Sequence, residues 1–204
     1  MVSVTVLEER WRPRVVTDGP SIDHAGAHRA AVDLLTALGL DLTVEHLADT
    51  PRRMVDALAE LTSPPEFEMT TFPNEDEYDE LVLVEDIPVQ SLCEHHMLPF
   101  VGVAHVGYLP GGRILGLSKF ARMVDHHARR PQTQERLTKR IADHLQRALE
   151  PRGVGVVIDA QHTCMSLRGA RATGARTLTS AMFGQLRDDA RSRSEFLDLT
   201  RGRR

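Results

Sequence analysis

The chain has 204 residues, which suits one domain with appended helices and is enough to bury a sizeable hydrophobic core. Its net charge of -4 gives no general attraction for polyanions, and its 4% aromatic content is low for the stacking platforms of single-stranded nucleic-acid binders. We therefore expect no nucleic-acid partner, and an anionic ligand would need a local basic cluster.

Membrane insertion and secretion are not expected either. No stretch approaches the length of a transmembrane helix, and "MVSVTVLEERWRPRVV" lacks the basic start and apolar run of a signal peptide. The chain has only two cysteines, which without a secretory signal indicate the reducing cytoplasm. In that compartment a metal site or a reactive thiol is a stronger interpretation than a Cys93–Cys164 disulfide.

The first part of the chain predicts an arm followed by helices. Residues 1–20 contain Arg, Pro and Gly without periodicity and are expected to form a flexible arm. Residues 21–63 carry apolar side chains at helical spacing in "IDHAGAHRAAVDLLTALGL" and "ADTPRRMVDALAELT". Gly39 is a predicted stop for the first helix, and Thr50 is a candidate cap for the second. Residues 64–78, rich in Pro and acids, are predicted to form a loop.

The second half predicts strands and helices in the order strand, strand, helix, helix, strand, strand and a short terminal helix. The segments are "ELVLVEDIPVQSL", "FVGVAHVGYL", "GLSKFARMVDHHARR", "TQERLTKRIADHLQRAL", "GVGVVIDAQHTC", "RTLTSAMF" and "RSEFLDLTRG". Paired strands on both sides of a helix pair favour an antiparallel four-stranded sheet covered on one face, an α+β fold. Such a sheet has two open edges, and joining the edges of neighbouring subunits into a closed barrel would satisfy them. A homo-oligomer is expected for this reason.

A candidate metal site lies at the ends of two predicted strands. In "SLCEHHMLPF", two residues separate Cys93 from His96 across a turn, so both side chains can converge on one ion. Cys164 in "AQHTCMSLRG" is the natural third ligand, and two thiolates with one imidazole leave a fourth position for water. The alternatives are ordinary surface histidines in a turn and a small buried cysteine.

Two further histidines lie beside these candidate ligands. Two thiolates would neutralise a zinc dication, so its bound water would be less acidic than on zinc held by three neutral histidines. A neighbouring acid or base would help this water to react by moving its proton. His95 and His162 are each within two residues of a candidate ligand and have pKa values suited to moving protons near neutrality.

Cations cluster at the start of a predicted helix. Ser118 is a candidate cap for this helix, and Lys119 and Arg122 are three residues apart, so they share a helix face. A helix N-terminus with two cations suits a phosphate group. Arg168 would bring a third cation close to Cys164. For each residue alone, a solvated surface charge is the stronger interpretation.

Polar residues also begin the longer predicted helix, in "QTQER". A carboxylate at Glu135 complements the helix dipole, and this interpretation is favoured from the sequence alone. A Glu can also accept two N–H bonds from the amide-and-amine edge of guanine, with Gln134 beside it. Both interpretations can hold together.

Six stretches of the sequence resemble the GTP cyclohydrolase I family. They span residues 49–184 in order and read "DTPRRM", "SLCEHHMLPFVGVAHVGYLP", "GLSKFARMV", "RRPQTQERLTKRIA", "GVGVVIDAQHTCMSLRGA" and "TLTSAMFG". The resemblance implies the tunnelling fold, in which N-terminal helices precede an antiparallel four-stranded sheet with two helices on one face. Residues 64–204 would form this catalytic domain. Sheets would join between subunits into a barrel, and two pentameric rings would stack into a homodecamer with active sites at subunit interfaces.

The resemblance also implies roles for individual residues around a zinc ion. The zinc ligands would be Cys93, His96 and Cys164. His162 would protonate N7 of the guanine as its five-membered ring opens, and His95 would assist proton transfer near the metal.

The remaining roles implied by the resemblance concern the nucleotide. Ser118 would assist near the sugar, and Glu135 would hold the guanine base with help from Gln134. The triphosphate ligands would be Lys119, Arg122 and Arg168, and Arg53 would reach a phosphate from a neighbouring subunit.

The reaction implied by the resemblance is zinc-dependent hydrolysis of GTP that releases formate and forms 7,8-dihydroneopterin triphosphate, the first step of folate and pterin biosynthesis. An altered paralogue in a specialised purine- or pterin-derived pathway is the alternative, and a non-enzymatic module with a structural zinc is a third hypothesis. The complete set of catalytic and metal residues argues against a shortened reaction.

Overall fold

The computed structural model of the chain describes residues 22–201. The arm predicted for residues 1–20 lies outside these residues. Among the residues described, no helix is long and apolar enough to cross a membrane.

In the described part of the chain, three helices precede the sheet: α1 (His24–Ala37), the single turn α2 (Glu45–Ala48) and α3 (Thr50–Thr62). The helix α1 ends as predicted, because Gly39 follows it with a φ of 88°, a conformation that glycine adopts without strain. The prediction that Thr50 caps α3 is wrong. Asp49 occupies the capping position of α3 and makes no side-chain capping bond.

The four predicted strands form an antiparallel sheet in which β2 (Val82–Cys93), β3 (Pro99–Leu109), β6 (Gly153–His162) and β7 (Thr177–Gly184) follow one another. Within residues 22–201 the sheet has five strands rather than the predicted four, because β5 (Pro131–Gln132) pairs in parallel with Leu92 and Cys93 of β2. A strand of two residues has no periodicity from which it could be predicted.

A second, two-stranded sheet lies outside the predicted elements. It pairs β1 (Thr71–Pro73) with β4 (Arg113–Leu115). The residues 64–78 are therefore not wholly a loop. The side chain of Arg113 reinforces this pairing, because its Nε donates a 2.8 Å hydrogen bond to Thr71 Oγ1.

The main core lies between the sheet and two helices, α4 (Ser118–Ala128) and α5 (Gln134–Leu149). Alternate residues of β6 face this core, as the period of a strand requires. The fully buried side chains include Phe120, Val124, Leu137, Ile141, Leu145, Val156 and Ile158. This arrangement confirms the predicted α+β class and the two covering helices.

A smaller hydrophobic cluster lies on the opposite face of the sheet, beneath the helices α7 (Gln185–Asp188) and α8 (Ala190–Thr200). The ring of Phe196 on α8 is fully buried there. It lies over Gly107 and Gly155, which are paired across β3 and β6, and a Cβ atom added to Gly155 would lie 2.8 Å from the ring. The sheet is therefore covered on both faces, not on one as predicted.

Candidate metal centre and nucleotide site

The turn between β2 and β3 positions the first candidate ligands. Cys93 is the last residue of β2, and its backbone N–H donates to Leu98 O at 2.9 Å while its carbonyl accepts from Met97 N at 2.8 Å. This tight turn brings both histidines over the thiol. The Sγ atom of Cys93 lies 3.8 Å from Nδ1 of His95 and 3.9 Å from Nδ1 of His96.

The third candidate ligand comes from the far end of β6. Cys164 lies on the short helix α6 (Thr163–Ser166), which begins where β6 ends. Because β6 pairs with β3 up to Phe100 and His162, this helix lies beside the Cys-His-His turn. The ligand atoms of Cys93, His96 and Cys164 all lie within 4.8 Å of one another, so these three residues form a group that could hold a metal ion. The sequence predicted these three residues.

The chemistry of this donor set fits a divalent cation that accepts sulfur and nitrogen. Burial raises the pKa of the Cys164 thiol, and the neighbouring Cys93 raises it further. The Cys164 thiol therefore resists ionisation on its own, whereas a cation bound beside it would favour the thiolate. Arg168 acts in the opposite direction on Cys164 and lowers its pKa, which places this cation near the group, as predicted.

His95 is the more exposed neighbour of the metal group, with 66% of its side chain accessible. Its Nε2 lies 4.0 Å from a carboxylate oxygen of Glu94. The other oxygen of Glu94 forms a 2.6 Å ion pair with Arg136 on α5. Glu94 thus ties the turn to α5, a contact that sequence patterns did not reveal.

His162 is held on two sides at the end of β6. Its ring stacks on Phe100 with ring centroids 4.7 Å apart and planes 11° from parallel. Its Nε2 lies 2.8 Å from Oε1 of Gln134, the first residue of α5. Burial lowers the pKa of His162, and the charge of Glu135 partly offsets this effect. The side chain is therefore mostly neutral near pH 7 and able to exchange a proton.

Gln134 and Glu135 differ in their surroundings although they are adjacent. Glu135 is exposed in the first turn of α5, where its charge complements the helix dipole. The side chain of Gln134 is instead buried, with the residue 1% exposed, and its amide is bonded inside the protein. The expected contact between Gln134 and a guanine base stays a prediction.

The predicted phosphate ligands of α4 lie on the first turns of that helix. The prediction that Ser118 caps α4 is wrong: Leu117 occupies the capping position, with no side-chain capping bond. Within residues 22–201, Lys119 and Arg122 form no ion pair, and no hydrogen bond or ring contact joins them to the Cys-His-Cys group. Arg53 on α3 is also exposed and forms a 3.6 Å ion pair with Asp49.

The fold and the site together define an α+β protein with a candidate metal centre at the ends of β2 and β6, the two strands that flank β3, and with His162 beside it. The sequence profile described as GTP cyclohydrolase I matches residues 27–201. The chain therefore belongs to the GTP cyclohydrolase I family.

Two relatives agree with this assignment. The chain is 54% identical over 188 residues to GTP cyclohydrolase 1 of Mycobacteroides abscessus, which covers 89% of this chain and 91% of the relative. It is 50% identical over 189 residues to GTP cyclohydrolase 1 of Thermobifida fusca, covering 90% of this chain and 91% of the relative. Among solved structures, the apo form of the archaeosine synthase QueF-Like matches with a TM-score of 0.41 and 23% identity, over 51% of this chain and 93% of that one.

Proposed function

We propose that this chain is a zinc-dependent GTP cyclohydrolase, which hydrolyses the five-membered ring of the guanine of GTP, releases formate and forms 7,8-dihydroneopterin triphosphate. The observation that carries the proposal is that the ligand atoms of Cys93, His96 and Cys164 lie within 4.8 Å of one another, with His162 held at the end of β6, two residues before Cys164. Relatives named GTP cyclohydrolase 1 support it over most of the chain.

The donor set favours zinc as the resident metal. Two thiolates and one imidazole suit zinc, and a fourth position would remain for water. When bound, zinc supplies Lewis acidity that makes water a better nucleophile toward C8 of the guanine.

The chain's own residues would move the protons and hold the substrate. His162, stacked on Phe100, would give a proton to N7 as the ring opens. His95, exposed beside the Cys93 thiol, would assist proton transfer near the metal. Ser118 would assist proton transfer near the sugar.

The base and phosphate contacts are proposed as follows. Glu135, exposed at the start of α5, would accept N–H bonds from the guanine edge. Lys119, Arg122 and Arg168 would bind the triphosphate, and the first two are free of ion pairs within residues 22–201. Arg53 would reach a phosphate held by a neighbouring subunit.

The assembly implied by these roles is a homodecamer of two pentameric rings, with sheets of the tunnelling fold joined into a barrel. Two features of the described residues support joining through sheet edges. Within residues 22–201, the strand β7 is paired on one side only, and the outer side of β2 pairs with another strand only at Leu92 and Cys93. Leu178 on β7 is 67% exposed in the single chain. The two free cysteines support a cytoplasmic location.

The test is product identification from GTP. The zinc-loaded protein is expected to release formate and yield a product that fluoresces after oxidation and has the mass of 7,8-dihydroneopterin triphosphate. Absence of both formate and the fluorescent product would refute the proposal. Release of formate with a product of another mass would indicate an altered reaction on the same scaffold.

A further inference from the structure

The amide of Gln134 has only one favourable orientation in its buried surroundings. Its Nε2 lies 3.0 Å from Ile158 O, 2.9 Å from Thr177 O and 3.1 Å from Thr179 Oγ1. Two of these acceptors are backbone carbonyls, which have no hydrogen to give. A flipped amide would set its oxygen against both carbonyls, so the network assigns the NH₂ to this side and Oε1 to the other.

A second set of hydrogen bonds fixes the same amide through α5 and β7. Thr138 Oγ1 donates to the backbone oxygen of Gln134 at 2.8 Å and lies 2.6 Å from Thr179 Oγ1. Each hydroxyl has one hydrogen to donate, so Thr179 donates to Thr138 and accepts from the Gln134 amide. The directions of these bonds agree: the two hydrogens of the amide are shared among three acceptors, and Thr177 O and the hydroxyl of Thr179 both anchor the amide to β7.

The orientation of the amide determines the tautomer of His162. Because Oε1 of Gln134 can only accept, the Nε2 atom of His162, 2.8 Å away, must carry a hydrogen. The neutral ring then has its lone pair on Nδ1, for which no partner exists within residues 22–201. Stacking on Phe100 fixes the plane of the ring as well.

We propose that Gln134 is a positioning residue that holds His162 in the Nε2–H tautomer, with Thr179 holding Gln134. This inference rests on the proposed role of His162, and it differs from the expectation that the Gln134 side chain contacts the base. In this tautomer Nδ1 of His162 first takes up a proton from the water consumed in the reaction and then gives that proton to N7 of the purine, while the hydrogen on Nε2 stays bound.

The experiment compares kcat and KM for GTP in a set of variants. Gln134→Leu removes the acceptor at similar volume and is expected to lower kcat by roughly 10- to 100-fold, part of what a positioned acid or base contributes, with KM within about twofold. Thr179→Val removes one anchor of the amide and is expected to lower kcat by roughly 3- to 10-fold, whereas Thr179→Ser, which keeps the hydroxyl, restores it. The matched control is Gln146→Leu, the same exchange near the other end of α5, which is expected to leave both constants unchanged.

The outcomes separate this inference from the proposed function. A rise in KM that exceeds the fall in kcat for Gln134→Leu would show that Gln134 binds the base, and unchanged constants would show no role; either result overturns the inference. If Gln134→Leu does not fold, the Thr179 pair decides, and equal kcat for Val and Ser overturns it. His162→Ala tests the role on which the inference rests. A His162→Ala variant with wild-type kcat would refute the proposed role of His162. If His162→Ala lowers kcat but the Gln134 and Thr179 variants do not, only the positioning role of Gln134 is refuted.

Discussion

The Nε2 atom of His127 on α4 lies 2.9 Å from the Nδ1 atom of His144 on α5, so two histidines are hydrogen-bonded to each other where the two helices meet. The second ring nitrogen of His127 is buried and has no hydrogen-bond partner among the described residues. Burial, together with the charges of neighbouring residues, lowers the pKa of His127 to about 2; these neighbours are His144, His126, Arg130 and Arg140. Burial likewise lowers the pKa of His144 to about 4, together with His126 and Arg147.

This pair predicts a loss of stability in mild acid. Both folded-state pKa values lie below the unfolded value of about 6.5, so the unfolded state binds more protons as the pH falls below about 6.5. Stability is full above this pH and falls toward the folded pKa values. Between pH 7 and pH 5 each histidine should lower the free energy of unfolding by about 2 kcal/mol. His144→Gln, which keeps an acceptor for His127, should reduce the fall in thermal midpoint, measured by calorimetry at one protein concentration.

The control for this prediction is an exposed histidine. His28→Gln on α1 should leave the pH dependence of the thermal midpoint as it is in the wild type. An equal fall between pH 7 and pH 5 in His144→Gln and in the wild type would contradict the assignment of this effect to the pair.

Removal of one candidate ligand should remove the metal. Cys164→Ser replaces one of three ligand atoms that lie within 4.8 Å of one another, so we expect the variant to lose zinc on dialysis and turnover of GTP to fall at least about 100-fold. Metal per chain by emission spectroscopy and formate release measure these two effects. The variant Ser166→Ala on the same short helix is the control and should keep both. A Cys164→Ser protein with wild-type metal content would show that the ligand is another residue.

The first cation of α4 should act on phosphate and not on the base. Lys119 has no ion pair within residues 22–201, so Lys119→Ala removes a charge that does not stabilise the fold through an ion pair. KM for GTP should rise roughly 10- to 100-fold, the effect of losing a hydrogen bond to a charged group, while the inhibition constant of guanosine stays unchanged. Lys139→Ala, which removes an exposed partner of Asp143, is the matched control. A parallel loss of guanosine binding would place Lys119 elsewhere in the site.

The stability of the protein should depend on the packing of Phe196 against Gly155, and substitution of either residue should lower it. Phe196→Ala leaves a cavity in a fully buried position and should cost about 3–5 kcal/mol of stability, which lowers the thermal midpoint by roughly 10 °C. Gly155→Ala puts a Cβ atom 2.8 Å from the ring and should cost about 1–3 kcal/mol. Leu199→Ala on the same helix, where the side chain is 49% exposed, should change the midpoint little. Equal midpoints for Phe196→Ala and Leu199→Ala would disprove the packing argument.

The sequence predicted those features that depend on regular spacing or on neighbouring residues. The buried stripe of Leu137, Ile141 and Leu145 defines α5, and the short spacing of Cys93 and His96 predicts two ligands from one turn. The pairing of Cys164 with that turn could be predicted because both lie at the ends of predicted strands. The α+β class follows from the order of these elements.

Other features could not be predicted, since they depend on contacts between distant segments. The partner of Gln134 is His162, 28 residues along the chain, and the bond exists only because α5 begins over the end of β6. The acceptors Thr177 and Thr179 come from yet another strand. Pro131 and Gln132 form a strand because β2 lies beside them, and no pattern within two residues could indicate this.

The buried position of Phe196 near the end of the chain has a consequence for folding during synthesis. Ribosomes synthesise the chain from its N-terminus, so every strand of the sheet exists before this ring emerges. Until then Leu109, Val157 and Met182 on the outer face lack their covering helix and are open to chaperones or to other nascent chains. A stop codon shortly before position 196 would therefore leave all predicted catalytic residues in place and yet give an aggregation-prone protein that is rapidly degraded.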